Sequence, residues 1–295
     1  MERIFRLEIP VDMSGKTIKQ ILNFHYHMSS RLISKLKLTQ GISLNNRKVT
    51  VNAVVQEKDI LMLVAPAETS ENIVPTYMDL DIQYEDEDIM IVNKPSNMPV
   101  HPSQGNFSNT LANGIVYYWQ QKGTNFVYRP VNRLDKDTSG LMIIAKNQYA
   151  HQQLANQIID KELKRKYIAL VHGDMQDEKG MIDLPIAREE GSIIKRIVDE
   201  RGKQAITHYK VLQKIRDFTM VELMLQTGRT HQIRVHMSHI GHPLVGDWLY
   251  GREEPELISR QALHSCYLGF VHPVSKQEMK FTSNIPEDIK RLIDR

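Results

Sequence analysis

The chain has 295 residues, of which 41% are hydrophobic, 7% aromatic and 25% charged, and its formal net charge is only +3. This composition excludes a collagen-like or wholly disordered chain and suits one large domain with an appendage, or two ordinary domains. The single cysteine, Cys266, excludes an internal disulfide and a cysteine zinc cluster; it reads as a small buried hydrophobe in a reducing compartment.

The first eight residues carry acids and no long apolar core, so they do not read as a signal peptide. Apolar runs such as Ile60 to Ala65 are far too short to span a bilayer. A cytoplasmic monomer with no membrane partner is expected.

Charge divides the sequence early. From Met13 to Gln56 there is no Asp or Glu, whereas Lys16, Lys19, Arg31, Lys35, Lys37, Arg47 and Lys48 are basic. Acids return at Glu57 and crowd together between Asp79 and Asp88. Within the basic stretch, Thr17 to Tyr26 reads as a short helix. Ser29-Ser30 reads as an N-cap before a helix from Arg31 to Leu38, with Leu32, Ile33 and Leu36 at helical spacing. Gly41 to Leu44, Asn45-Asn46 and Arg47 to Val49 read as strand, tight turn and strand. A charge run usually just solvates a surface. An acid-free run of this length instead favours a face that meets phosphates, and makes Lys16, Arg31, Lys35, Lys37, Arg47 and Lys48 candidate RNA contacts.

The polar stretch from Ala65 to Thr76, with Pro66 and Pro75, is the best linker candidate. The expected organisation is a small module over 1–70, a linker over 71–78 and a large domain over 79–295. In the large domain, Ile89 to Val92, Leu141 to Ala145 and Tyr167 to Val171 predict strands, and Gln148 to Glu162 predicts a helix capped by Asn147. Thr207 to Val211 and Thr219 to Leu225 alternate like half-buried strands. Many strands, few helices and no regular βαβ alternation predict an α+β fold. Its central sheet would be largely antiparallel or mixed and flanked by helices, with the small α/β module in front.

The stretch Asn132 to Gly140 holds two acids two residues apart. Asp137-Thr138-Ser139-Gly140 fits a type I turn, with Asp first and Gly last, so the turn alone accounts for Asp137. Nothing structural accounts for Asp135, which stands between Leu134 and Lys136 near Arg133. A carboxylate held there beside positive charge can act as nucleophile or base. His231, His236, His239 and His242 also cluster, but the helical zinc motif needs a four-residue spacing with an intervening Glu. No metal is expected, and the absence of a Gly-rich phosphate loop argues against ATP-driven chemistry.

Arg133 to Gly140 resembles the signature loop of the RluA-type pseudouridine synthases. Lys164 to Tyr167 resembles the family's tyrosine motif, and Thr227 to Met237 its arginine motif. Asn93 to Pro95 with Met98 to Pro102, and Gln261 to His264 with His272 to Val274, resemble its first motif and its C-terminal strands. The resemblance spans roughly Asp79 to Ile293. Ser29 to Val49 is similar to the S4-type RNA-binding module that precedes many of these enzymes. One departure is Asn132, where the family commonly has His.

The resemblance implies isomerisation of uridine to pseudouridine in structured RNA, with large-subunit ribosomal RNA favoured and tRNA the alternative. A non-catalytic RNA-binding protein is the rival of a different class. The ribose-to-N1 bond breaks, the uracil turns, and C5 joins the same carbon. No atoms are gained or lost, so no cofactor is formally required. The resemblance makes Asp135 the reacting group, either capturing the ribose covalently or removing a ribose proton. It pairs Arg234 with Asp135 and stacks Tyr167 on the base, with a possible part for Tyr167 in the final proton transfer. Ile233 would pack on the base's other side, and Arg133 would contact RNA or fill the space left by the extruded nucleotide.

Overall fold

In the computed structural model, which describes residues 2–66 and 72–294, the acid-free stretch and the segments on either side of it form a four-stranded antiparallel sheet with its own core. Its strands are β1 (Arg3–Glu8), β2 (Ile42–Leu44), β3 (Arg47–Lys48) and β4 (Ile60–Ala65), in spatial order β1-β4-β2-β3. The helix expected from Thr17 to Tyr26 is a single α turn, α1 (Ile18–Gln20), that widens into a π turn over Ile21–His25. Helix α2 (Ser30–Leu38) starts where the sequence places it. The Ser29 side chain accepts the Leu32 N–H, which satisfies one of the orphan donors of the first turn. Leu32, Ile33 and Leu36 face the core, and Arg31 and Lys37 face solvent. Asn45 and Asn46 have φ of 49° and 64°, the left-handed pair that a two-residue hairpin turn requires.

This module is docked, not tethered. Arg3 makes a bidentate pair with Asp88 at 2.8 and 2.9 Å. The Phe5 ring meets Tyr149 edge-on, with centroids 5.2 Å apart, and Gln153 donates to the Tyr26 carbonyl. The expected linker over 71–78 begins at Glu71, outside the described residues. From Asn72 onward the chain is extended and lies on a helix, where the buried Asn113 donates to the Val74 carbonyl and its own carbonyl accepts the Thr76 N–H.

The second sheet has ten strands: β5 (Ile82–Glu85), β6 (Ile89–Lys94), β7 (Arg129–Pro130), β8 (Ser139–Ala145), β9 (Lys164–His172), β10 (Lys179–Asp183), β13 (Ile206–Ile215), β14 (Phe218–Leu225), β15 (Leu263–Val271) and β16 (Glu278–Thr282). A separate hairpin, β11 (Ile186–Arg188) with β12 (Arg196–Val198), projects from it. The main path runs β10-β13-β14-β9-β15-β8-β6-β5, with β16 beside β15 and β7 beside β8. All of its pairs are antiparallel except β8 with β15, so the sheet is mixed, as expected.

Helices α3 (Leu111–Gln121), α4 (Gln148–Ile159), α5 (Gln232–His239) and α6 (Glu287–Ile293) cover the sheet. Strand alternation sorts the core between its faces. Met90, Val92, Met142 and Ile144 pack on one face with α3 residues such as Ile115 and Trp119. Ile89, Ile91, Leu141 and Ile143 pack on the other with Ala150 and Leu154 of α4. Tyr167, Ala169 and Val171 share the first face with Ile233 and Met237 of α5. The face beneath α3 and α5 therefore carries Tyr167 and Ile233, two of the residues singled out by sequence.

Candidate active site

Asp135 sits in the loop that feeds β8. The turn there is not the expected one. The Thr138 N–H bonds to the Asp135 carbonyl at 3.1 Å, so the turn runs from Asp135 to Thr138 and Asp135, not Asp137, opens it. Ser139 and Gly140 have already joined the sheet, pairing with His264 and Ser265 of β15. Gly140 has φ of 117°, and a Cβ there would lie 2.3 Å from the Ser265 carbonyl oxygen. Glycine is needed for close strand approach, not as the last residue of a turn. The turn therefore gives Asp135 a structural place as well, and its side chain still points to the pocket.

The loop is held at almost every carbonyl. Lys94, 1% exposed, donates to the carbonyls of Pro95, Met98 and Lys136 at 2.7 to 3.0 Å. Burial pushes its pKa down to about 7, opposed by the charges of Asp137 and Asp135. The Met98 N–H also reaches the Lys136 carbonyl. Arg260, anchored bidentately on Asp288, donates to the Asp137 carbonyl at 3.2 Å. Asn132 is buried and clips the loop to β8, accepting from the Ile143 N–H at 2.8 Å and donating to the Leu141 carbonyl. Its amide thus replaces ladder contacts on the strand, which accounts for a polar residue buried at this position.

Arg234, in the first turn of α5, brings its NH1 to 3.2 Å from Asp135 Oδ2. Its Nε and NH2 are committed elsewhere, in a bidentate pair with Asp247 at 2.7 and 2.8 Å. Asp247 is completely buried, and its Oδ1 also accepts the N–H groups of Leu249 and Tyr250. The Tyr250 ring lies 5.0 Å from the guanidinium carbon. Burial by itself lowers the Arg234 pKa, but hydrogen bonding and charge from Asp247, with the charge of Asp135, carry it above the ordinary arginine value.

His231 precedes α5 with φ of 57°, a left-handed conformation uncommon outside glycine. Its Nδ1 is 2.8 Å from the Tyr250 hydroxyl, and its Nε2 is 3.9 Å from Asp135 Oδ2. Burial lowers its pKa; Asp135 and Asp247 oppose the shift, and Arg234 and Arg196 reinforce it. Tyr167 is 4% exposed on β9, and burial raises the pKa of its phenol. Asp135, Tyr167, His231, Ile233 and Arg234 line one hollow, together with Arg133, Leu134, Thr138, Leu225, Arg229, Gln232 and Leu263. A carboxylate fixed on a braced loop beside a buried guanidinium, in a hollow that an aromatic side chain also lines, can react with an extruded nucleotide.

Residues 88–239 match the model of the RNA pseudouridylate synthase family. An uncharacterized RNA pseudouridine synthase of Bacillus subtilis, YlyB, is 44% identical over 256 residues, covering 86% of this chain and 84% of the relative. The chain belongs to the RluA-type pseudouridine synthases. A ribosomal large subunit pseudouridine synthase D of Pseudomonas aeruginosa is 37% identical over 311 residues, covering 97% of this chain and 93% of the relative. Among solved structures, human RNA pseudouridylate synthase domain containing 1 superposes with a TM-score of 0.58 at 26% identity, over 70% of this chain and 83% of that one. The chain is thus an RNA pseudouridine synthase, an isomerase that acts on RNA.

The synthase's sequence-derived candidates fall into two places. Asp135, Tyr167, Ile233, Arg234 and Arg133 come together, with Arg133 exposed at the rim. Lys16, Arg31, Lys35, Lys37, Arg47 and Lys48 belong to the N-terminal sheet module and do not line this hollow. Lys35 is half-buried, and Lys48 donates to Gln40 at 3.2 Å. The clustered histidines go separate ways. His236 bonds Thr207 and the Leu184 carbonyl, His242 bonds the His172 carbonyl, and His231 bonds Tyr250. Sequence reasoning missed Asp247, Tyr250 and Arg260, and it placed Lys94 in a motif without giving it a role.

Proposed function

We propose that this enzyme isomerises uridine in large-subunit ribosomal RNA and that Asp135 is the group that reacts. The observation that carries the reading is the Asp135 to Arg234 contact at 3.2 Å, made from a loop whose carbonyls are tied to Lys94, Met98 and Arg260. Such a carboxylate is aimed before substrate arrives, which lowers the reorganisation needed in the transition state. Arg234 holds the anion in place. Tyr167 supplies an aromatic face for the uracil and Ile233 an apolar one, and Arg133 meets the RNA at the rim. The basic module over 1–70 serves as an S4-like RNA-binding platform, with Lys16, Arg31, Lys35, Lys37, Arg47 and Lys48 toward phosphates. Ribosomal RNA is favoured because several relatives are named as ribosomal large subunit synthases.

Pseudouridine mapping of total RNA from cells with and without the gene tests the target. Loss of a site in large-subunit ribosomal RNA is expected. A change confined to tRNA overturns the ribosomal assignment. Asp135→Ala should abolish isomerisation while RNA binding and the unfolding midpoint stay near wild type. Turnover by that variant rules out Asp135 as the reacting group.

A further inference from the structure

Asp135 and Arg234 leave one requirement of the reaction unmet. When the bond from ribose C1′ to N1 breaks, its electron pair goes to the uracil, and charge spreads over N1 and the carbonyl oxygens. O2 is the oxygen beside N1, and hence the one nearest the reacting carbon. Some donor should face it. Arg234 is a poor candidate, because Nε and NH2 are committed to Asp247 and NH1 to Asp135. The Arg229 Nε donates to the Gln204 carbonyl.

We propose that His231 is a catalytic hydrogen-bond donor whose Nε2–H stabilises O2 of the departing uracil anion. The inference rests on the reading of Asp135 as the reacting carboxylate. Nε2 lies 3.9 Å from Asp135 Oδ2, so it borders the space where C1′ and its base must sit. The other ring nitrogen sets the tautomer. The Arg196 backbone N–H donates to the Tyr250 oxygen at 2.9 Å, which leaves the hydroxyl hydrogen for His231 Nδ1 at 2.8 Å. An imidazole that accepts at Nδ1 carries its proton on Nε2. The ring is braced as well as oriented. It meets Tyr250 edge-on with centroids 5.6 Å apart. Its left-handed backbone is followed by Gln232, whose amide is bonded on both sides, to Thr227 and Arg229 and to Ile206 and Thr207. A non-glycine residue in that conformation costs energy, and persists where its surroundings fix it for a purpose.

Neutrality suits the task. A donor without charge stabilises the leaving base and does not ion-pair with Asp135. Burial favours the neutral ring, as do the nearby Arg234 and Arg196, against Asp135 and Asp247. The proton stays on His231 throughout. The electron pair returns from the base when C5 bonds to C1′, and the proton lost from C5 is balanced by one gained at N1.

Single-turnover cleavage of the C1′–N1 bond, in RNA carrying uridine or 5-fluorouridine at the target, tests this. Fluorine stabilises the uracil anion, so the leaving base depends less on a donor. His231→Ala should slow uridine RNA on the order of 10²- to 10³-fold, the usual cost of one lost oxyanion donor. The defect should shrink at least about tenfold on 5-fluorouridine RNA if the donor serves the departing charge. His231→Asn tolerates the left-handed backbone and keeps an N–H, so it should recover part of the loss. Equal defects on both RNAs overturn the proposal. If His231→Ala does not fold, Tyr250→Phe decides, because it removes only the hydroxyl that orients the ring. A smaller defect with the same contraction is expected, and an uncontracted one overturns the idea. Asp135→Asn is run in parallel. Activity in that variant rejects the reading of the site itself, whereas an inactive Asp135→Asn with uncontracted His231 defects rejects this inference alone.

Discussion

Asp247→Asn tests how Arg234 is held. The wild-type carboxylate is fully buried and takes two guanidinium N–H bonds at 2.7 and 2.8 Å, as well as two backbone N–H bonds at 3.1 Å. If Asn keeps its oxygen at Oδ1, three of these bonds survive. The fourth becomes an NH2 facing the Nε–H of Arg234, donor against donor. The guanidinium, with its side chain 5% exposed, then has Asp135 as its only carboxylate partner among the described residues. Breaking a buried pair from one side costs about 3–5 kcal/mol. The surviving bonds place this change near the lower end, at about 3 kcal/mol. Arg234→Gln/Asp247→Asn should cost less than the sum of its single variants by about 2 kcal/mol, because no buried charge is stranded. Urea unfolding followed by circular dichroism measures all four proteins, with an unchanged slope as the check on two-state comparison. Single-turnover isomerisation by Asp247→Asn should fall about 100-fold, the scale expected of a misplacement near 1 Å. A cycle additive to within about 0.5 kcal/mol, or a loss below about 1 kcal/mol for the single variant, refutes the clamp.

Two further outcomes follow from the structure. His264 is 1% exposed, with Nδ1 2.9 Å from Ser139 Oγ, and burial, aided by Arg260, pushes its pKa down to about 4. The unfolded imidazole titrates near 6.5, so His264 contributes nothing to the pH dependence above about 6.5. As pH falls from there toward 4 the unfolded state takes up a proton that the folded state refuses, and about 3 kcal/mol of stability is lost. Urea midpoints at pH 7 and 4.5 should therefore converge in His264→Gln relative to wild type, and equal acid losses in both proteins refute the assignment. For the basic module, Lys37→Gln/Arg47→Gln/Lys48→Gln should weaken RNA binding uniformly and lower the salt slope of log Kd by up to about 2 to 3. An unchanged slope removes these side chains from the phosphate contacts.

Local patterns were legible where short-range physics decides. The Ser29 cap, the Asn45-Asn46 turn, the start of α4 at Asn147 and the alternation along β14 all stand where the sequence places them, because caps, turns and strand faces depend on neighbouring residues. Boundaries shifted where packing intervened. Strand β9 starts at Lys164, before the expected Tyr167, because Lys164 to Lys166 find partners on β15. Helix α4 stops at Ile159, short of Glu162.

The loop around Asp135 shows the division between sequence and tertiary structure most clearly. Two overlapping four-residue windows could each form a turn, and local preference chose the one beginning at Asp137. Parallel pairing of β8 with β15 took Ser139 and Gly140 into the sheet and left the turn to Asp135. The residues around Asp135 marked it as a carboxylate without a structural role, and the resemblance of three motifs to one family implied that an aspartate, a tyrosine and an arginine belong to one chemistry. They could not determine that Asp247 and Tyr250 hold the arginine, or that His231 turns toward the aspartate. Those contacts join residues that share a face only after α5 packs on the sheet, and the energy that fixes them comes from burial, which a linear pattern does not record.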